Sequence, residues 1–366
     1  MDFSTVSVKA AARAAATICR LLWHPLPTLL ALAAATSAGL ALAQAAPGTV
    51  AAKTLAAQTA ANSHAACTAI APFYWEIGDK TQTQANGSVG NRWAADTSMH
   101  IASATKWLYG AYVAELRRGQ LTPTDIQHLN FTSGYSSFKS CGNALNQPGE
   151  TVASCAQNPD NNKQTPSHLG RFFYAGGHMQ LHAAQQTPLA NSGNAALALQ
   201  INNMLKLDAS AADFEFAQPQ LAGGAKTTPA VYAHFLRTTL RGELYISQLL
   251  GSHVVCTNPG TCPTAVSTPF PHNESPLYSI GHWVEPAAKD GVSSAGEGAG
   301  DGAFTSPGLF GFYPWIDAGK QWYGIVARAT LEGTRSRDMA QQPYYLSMVC
   351  GREIRRAWIS GQLNSS

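Results

Sequence analysis

Extended, aromatic-rich segments lie near both ends of this 366-residue chain, and most of the helix-patterned segments lie between them. Phe73-Tyr74-Trp75-Glu76-Ile77-Gly78 reads as the first arm of a β-hairpin. A polar return follows, with its turn at Asn86-Gly87. Near the other end, 278–284, 309–316 and 321–328 alternate or run apolar as strands do, and 344–359 is an amphipathic helix. The middle holds a largely apolar helical run from Trp107 to Leu116, closed at Gly119. A helix start at Thr122-Pro123, an Ala/Leu/Gln-rich stretch to Leu207 and a helix over 229–241 follow. Strands from opposite ends that share one sheet make an α/β unit of residues 67–125 and 275–366. Residues 126–274 then form a helical insertion with loop excursions.

Composition narrows the function classes. Charged residues are only 12% of the chain and the net charge is +3, with no basic block or aromatic-basic stripe, which argues against a nucleic-acid partner. Residues 1–45 read as a secretory signal: Lys9, Arg13 and Arg20 precede an apolar run from Leu29 to Ala43, and Ala43-Gln44-Ala45 matches a small-x-small cleavage site. The run is short for a membrane span, so no stable anchor is expected after cleavage before Ala46, and the product is periplasmic or secreted. Residues 46–66 read as a flexible leader. Cys19 leaves with the signal, so six of seven cysteines remain. An even number in an exported chain suggests disulfides. Six cysteines allow many pairings; the two close pairs suggest Cys141–Cys155 and Cys256–Cys262, which leaves Cys67 to meet Cys350. No Cys or His spacing suggests a metal, and no cofactor is expected.

Ser103-Ala104-Thr105-Lys106 carries the chemistry. A hydroxyl and an amine three residues apart share one helix face, and the apolar run that follows makes this the mouth of a buried helix. A serine needs a neighbour to take its proton. A lysine does so when burial lowers its pKa.

Further along, the residues resemble a known group. Ser103-x-x-Lys106 resembles the first motif of the serine β-lactamase and penicillin-binding-protein superfamily. His128 to Gly134 resembles the segment that follows it in the class C-like branch, which includes the family VIII esterases. Phe173-Tyr174-Ala175-Gly176 resembles the Tyr-x-Asn second motif. Residues 222–228 resemble the branch's glycine turn, and Ser306-Pro307-Gly308-Leu309 with 310–317 its third motif and following strand. The resemblance spans roughly residues 70–350, in order.

It implies an antiparallel sheet flanked by helices, built from both termini, with an inserted all-helical domain. It also implies acyl-enzyme hydrolysis of a small ester or amide. Ser103 is then the nucleophile, Lys106 and Tyr174 share its proton, and the backbone N–H groups of Ser103 and Leu309 form an oxyanion hole. Ser306, Gly308 and Gly176 are expected to meet the substrate, with His178 and His282 as pocket candidates.

Two departures bear on the substrate. Gly176 replaces the second-motif Asn, and Ser306 stands where lactamases place a cation. A carboxylesterase is therefore the leading expectation. A D-aminopeptidase, amide hydrolase or weak β-lactamase is the alternative, and a non-catalytic binding or sensor domain is the reading of another class. Lys226-Thr227-Thr228 is read as a decoy of Lys-Thr-Gly. Residues 298–303 fit a loose dinucleotide pattern but are read as a loop, and no Gly-x-Ser-x-Gly elbow is present. Oligomeric state is not encoded in any of these features.

Overall fold

The computed structural model of the protein describes residues 48–139, 141, 150–158, 160–287 and 300–362. The expected signal at 1–45 and residues 298–299 of the glycine-rich stretch lie outside the described residues, as does most of the loop between Cys141 and Cys155.

The leader expectation over 46–66 is corrected by a helix, α1 (Val50–Ser63), whose N-terminus is capped by the Thr49 side chain. Alanine is the best helix former. Ala52, Ala56 and Ala60, spaced by four, with Ala57 and Ala61 beside them, form a buried stripe that packs on the C-terminal helix. α2 (Ala65–Thr68) brings Cys67 to Cys350 in a disulfide.

The hairpin forms from β1 (Phe73–Gly78) and β2 (Thr83–Val89). Its turn is not at Asn86-Gly87, which lie inside β2 opposite Glu76 and Trp75. The chain turns instead at 79–82, where the Asp79 carboxylate accepts from the Thr81 and Gln82 N–H groups at 2.7 and 3.0 Å. After β3 (Met99–His100) a 3₁₀ turn over Ala102–Ala104 leads into α3 (Thr105–Leu116). α4 (Pro123–Leu129) starts from a Thr122/Asp125 capping box.

The middle continues with α5 (Val152–Ala156), β4 (Phe172–Phe173), α6 (Gly177–Gln186), α7 (Asn194–Leu205), β5 (Phe214–Phe216) and β6 (Ala225–Thr227). Then come α8 (Pro229–Leu240), α9 (Ile246–Leu249), β7 (Val255–Cys256) and β8 (Ala265–Ser267). This stretch is therefore not all helical: β6 bridges β3 and β5 in a small sheet, β4 pairs with β8, and β7 joins the edge of the main sheet. Cys141 bonds Cys155, and Cys256 bonds Cys262.

The last third gives β9 (Leu277–Ser279), β10 (His282–Val284), β11 (Phe304–Thr305), β12 (Tyr313–Ile316), β13 (Tyr323–Ala327) and α10 (Pro343–Ser360). The expected strand over 278–284 is a tight hairpin, because Ile280 and Gly281 take left-handed φ values of 40° and 81°. The main sheet has the order β2-β1-β13-β12-β11-β10-β9-β7, with every neighbour antiparallel. Strands from both ends thus meet at β1 and β13, where Tyr74 faces Ala327.

Residues on β13 are buried on both faces. Alternation puts Val326 on the face where Gly351 of α10 packs against Tyr313 and Val326. Tyr323 lies on the other face, where its hydroxyl accepts from Arg237 of α8 and donates to buried Glu76. Under α10 runs a buried ionic network. Glu285 accepts from Arg352, Arg355 and the Tyr313 hydroxyl at 2.9, 2.8 and 2.6 Å, and Arg355 also holds Asp301. Removing one partner of such a cluster strands the others in low dielectric. Glu285→Ala is expected to cost about 3–5 kcal/mol, read as a lower urea midpoint at unchanged slope; an unmoved midpoint would show that the cluster does not hold α10 to the sheet.

Candidate active site

β3 delivers the chain to the nucleophile position. The Ile101 N–H donates to the Ala225 carbonyl at 3.2 Å, and Ala102 is held at a left-handed φ of 44°. That conformation is costly for a residue with a Cβ, and the turn it makes leaves Ser103 half-buried at the entrance to α3. Every α3 residue from Thr105 to Ala114 is buried, so the helix is a core element on all sides. Lys106, one turn in, is carried inside with it.

The Lys106 amine donates to Ser103 Oγ at 2.8 Å and to the Ala222 carbonyl at 2.5 Å. It sits 4.8 Å above the Tyr174 ring. No carboxylate pairs with it among the described residues. Burial pushes its pKa down to about 7, so near neutrality a large share of the amine is uncharged and basic. Tyr174 moves the opposite way. Burial pushes its phenol up to about 12, against the pull of hydrogen bonds with Ser103 and Trp283. Desolvation thus disfavours the charged form of both groups.

The third motif lies beside the nucleophile in an unexpected way. Ser306 is buried, and its hydroxyl donates to the Ser103 carbonyl at 3.2 Å. It braces the nucleophile's backbone and does not line the cleft. Gly308 N–H donates to Phe312 O at 2.7 Å, and Gly311 N–H to Gly308 O at 2.8 Å. This tight turn presents Leu309 and Phe310 to the cleft. Gly308 itself stays outside it and is required by close approach, since a Cβ there would stand 2.1 Å from the Ile101 carbonyl. The N–H groups of Ser103 and Leu309 donate to no protein acceptor among the described residues.

Gly176 reaches the cleft, against Phe138. The two histidines do not. His178 is fully buried, hydrogen-bonded to Ser133 Oγ at 2.8 Å and Phe173 O at 3.0 Å. His282 is fully buried, stacked on Trp107 at 5.5 Å, and accepts from the Gly251 N–H. Burial holds both rings near pKa 3, hence neutral. Lys226 pairs with Glu215 on the neighbouring strand and is no part of the site.

Ser103 and Lys106 open into a cleft of about 860 Å³. Its walls include Arg92, His100, Phe138, Gln218, Gln220 and Phe310, none of which was singled out as a site residue. All six sit in loops or at strand ends, where hydrophobic periodicity gives no signal; His100 adjoins the first motif and Phe310 lies in the segment of the third.

Comparison with known proteins now adds a frame. No family profile matches the sequence, and no curated protein matches it. Solved structures do. A D-amino acid amidase from Ochrobactrum anthropi, solved with L-phenylalanine amide, is similar with TM-score 0.56 and 10% identity, covering 83% of this chain and 98% of its own. A protein assigned as a beta-lactamase from Bacteroides dorei gives 0.55 and 19%, covering 78% and 93%. EstCE1, a hydrolase with promiscuous acyltransferase activity, gives 0.54 and 12%, covering 82% and 98%. The fold is that of the β-lactamase group. Within the β-lactamase fold, the approach of the Gly308 turn to Ile101 sets the width of the site beside Ser103. Gly308→Ala is expected to cut the rate of Ser103 modification by an activated serine reagent at least about tenfold, since misplacing a reacting group by an ångström costs more than that. A rate within twofold of wild type would show the turn to be slack.

Proposed function

We propose that the protein is a serine hydrolase that cleaves a small ester or amide through an acyl-enzyme on Ser103. One observation carries this reading: a buried lysine amine, pKa about 7, lies 2.8 Å from a serine hydroxyl that opens into a cleft. Neutral Lys106 takes the Ser103 proton as Oγ attacks the carbonyl carbon. The N–H groups of Ser103 and Leu309 receive the oxyanion. The proton then passes from Lys106 to the leaving atom with the Tyr174 phenol as carrier, and water reverses the sequence to free the acid.

Esters are the leading substrate class, because Ser306 supplies no cation for a β-lactam carboxylate and its hydroxyl is committed to Ser103 O. An amide is the second reading, favoured by the protonated Tyr174 phenol: an amine must be protonated to leave, whereas a nitrophenolate departs unaided. Similar folds serve a D-amino acid amidase and a hydrolase with promiscuous acyltransferase activity, which supports acyl transfer without choosing between the two. Export belongs to the same proposal. Three disulfides fit an oxidising compartment, and among the described residues no helix is long and apolar enough to cross a membrane.

The test is covalent. A fluorophosphonate or nitrophenyl ester is expected to add one acyl or phosphonyl mass to the intact protein, mapped to Ser103, and Ser103→Ala is expected to lose both adduct and turnover. An adduct elsewhere, or more than a few per cent residual turnover in the variant, would move the nucleophile; no adduct with any reagent would favour a binding domain. The labelling rate has a definite pH sign. The reactive form is the unprotonated amine, so the rate rises with pH and levels off above about 7. A rate flat from pH 5 to 9 on that scale would exclude Lys106 as the base.

A further inference from the structure

Ser306 gives the cleft no charge, yet the cleft is not neutral. Among the described residues its ionisable lining consists of Arg92, His100 and Lys106, with no aspartate or glutamate. Lys106 is committed to Ser103 and Ala222. Arg92 is exposed, in the segment between β2 and β3, with its guanidinium 4.8 Å over the Trp93 ring. Arg92 meets no carboxylate among the described residues; Arg118, Arg171, Arg328, Arg335 and Arg337 share that trait, but Arg92 alone of these lines the cleft. An aromatic face steadies the guanidinium without consuming its N–H fork, which remains free for a planar anion. The rest of the wall is uncharged, with Phe138, Phe310 and Leu331 beside the Gln218 and Gln220 amides and the Thr330 hydroxyl.

We propose that Arg92 is a specificity residue that selects substrates bearing a carboxylate, a counter-charge supplied by the segment between β2 and β3 and not by the third motif. The inference rests on the hydrolase reading above for its catalytic consequence, but the anion site itself does not require turnover. A single free guanidinium suits a monoanion. A phosphate monoester dianion would leave its second charge without a cation, since Lys106 is committed to Ser103 and Ala222 and burial lowers the pKa of His100. The carboxylate belongs either to the leaving group or to the acyl group, and the two are separated by experiment.

The first arm compares para-acetoxybenzoate with its methyl ester; the second compares the para-nitrophenyl monoester of terephthalic acid with its methyl diester. Within each pair the ratio of kcat/KM, charged over neutral, is read in wild type, Arg92→Ala and Arg92→Lys, so intrinsic ester reactivity cancels between variants. In the arm whose carboxylate reaches Arg92, the ratio is expected to fall about tenfold in Arg92→Ala, the low end for a hydrogen bond to a charged group at an exposed position. It is expected to recover in part in Arg92→Lys, and to shrink in wild type at high salt. Ratios unmoved in both arms overturn the proposal while the Ser103 adduct keeps the hydrolase reading intact. If Ser103 proves inert, saturation-transfer NMR of para-hydroxybenzoate decides alone: a signal lost in Arg92→Ala supports the anion site, and a signal equal in both proteins overturns it.

Discussion

A lysine amine buried without a carboxylate is the constraint around which this protein is arranged. Most buried cations are paired, because an unpaired one is expensive to desolvate. Lys106 escapes that cost by surrendering its charge, with Ser103 Oγ and the Ala222 carbonyl accepting its N–H groups. The surroundings keep it dry. On one side α3 lies hard against the β9–β10 turn, where a Cβ on Gly110 would stand 2.2 Å from Ile280 O and one on Gly281 2.4 Å from Lys106 O. On the other, Tyr174, Trp283 and Tyr278 pack edge and face within 4.7–6.1 Å of one another. The same dryness that makes the amine basic holds the phenol protonated. One environment thus moves two neighbouring pKa values apart, the amine down and the phenol up.

The sequence showed the site's centre better than its walls. Ser103-x-x-Lys106 was readable because the apolar run behind it requires a buried helix, and burial is what gives the pair its chemistry. Tyr174 and the Gly308 turn came through resemblance; the Tyr174 ring lies 4.8 Å from the Lys106 amine, and the Gly308 turn packs against Ile101. His178 and His282 did not reach the cleft: a histidine beside a motif has the same letter whether it faces substrate or satisfies a core carbonyl, and here burial and stacking on Phe131 and Trp107 decide. Ser306 illustrates a different limit, since side-chain identity gave its neutrality but not its direction. α1 was missed because its buried face is alanine. Small side chains carry little hydropathy contrast, yet they are what lets another helix come close. In the fold, strand content at both ends was evident, while turns were misplaced where an Asn-Gly pair sat inside a strand or an Ile-Gly pair split one.

The covalent and ionic ties converge on α10. Cys350 holds α2, Arg352 and Arg355 hold Glu285 beyond β10, and Gly351 lets the helix settle on Tyr313 and Val326. None of these contacts lies in the cleft. The face of the sheet toward the Ser103 cleft is served by α3 and α8, and the fastening is on the opposite face. Substitutions that tune the cleft and substitutions that tune the fastening therefore fall on separate residues.

Pairing β1 with β13 has a consequence for the order in which the protein comes into being. A ribosome finishes β1 and β2 some 240 residues before Tyr323 is joined to the chain, as the register from Gly78 to Tyr323 requires. Throughout that interval the inner edge of β1, rich in aromatic side chains, has no strand to complete it, and an open edge of that kind pairs readily with other chains. The seam that joins the N-terminal hairpin to the rest of the sheet can close only after synthesis is nearly done. A shortened product ending before β13 would keep Ser103 and Lys106 in its sequence and still lack the strand that ties its first hairpin to the other strands.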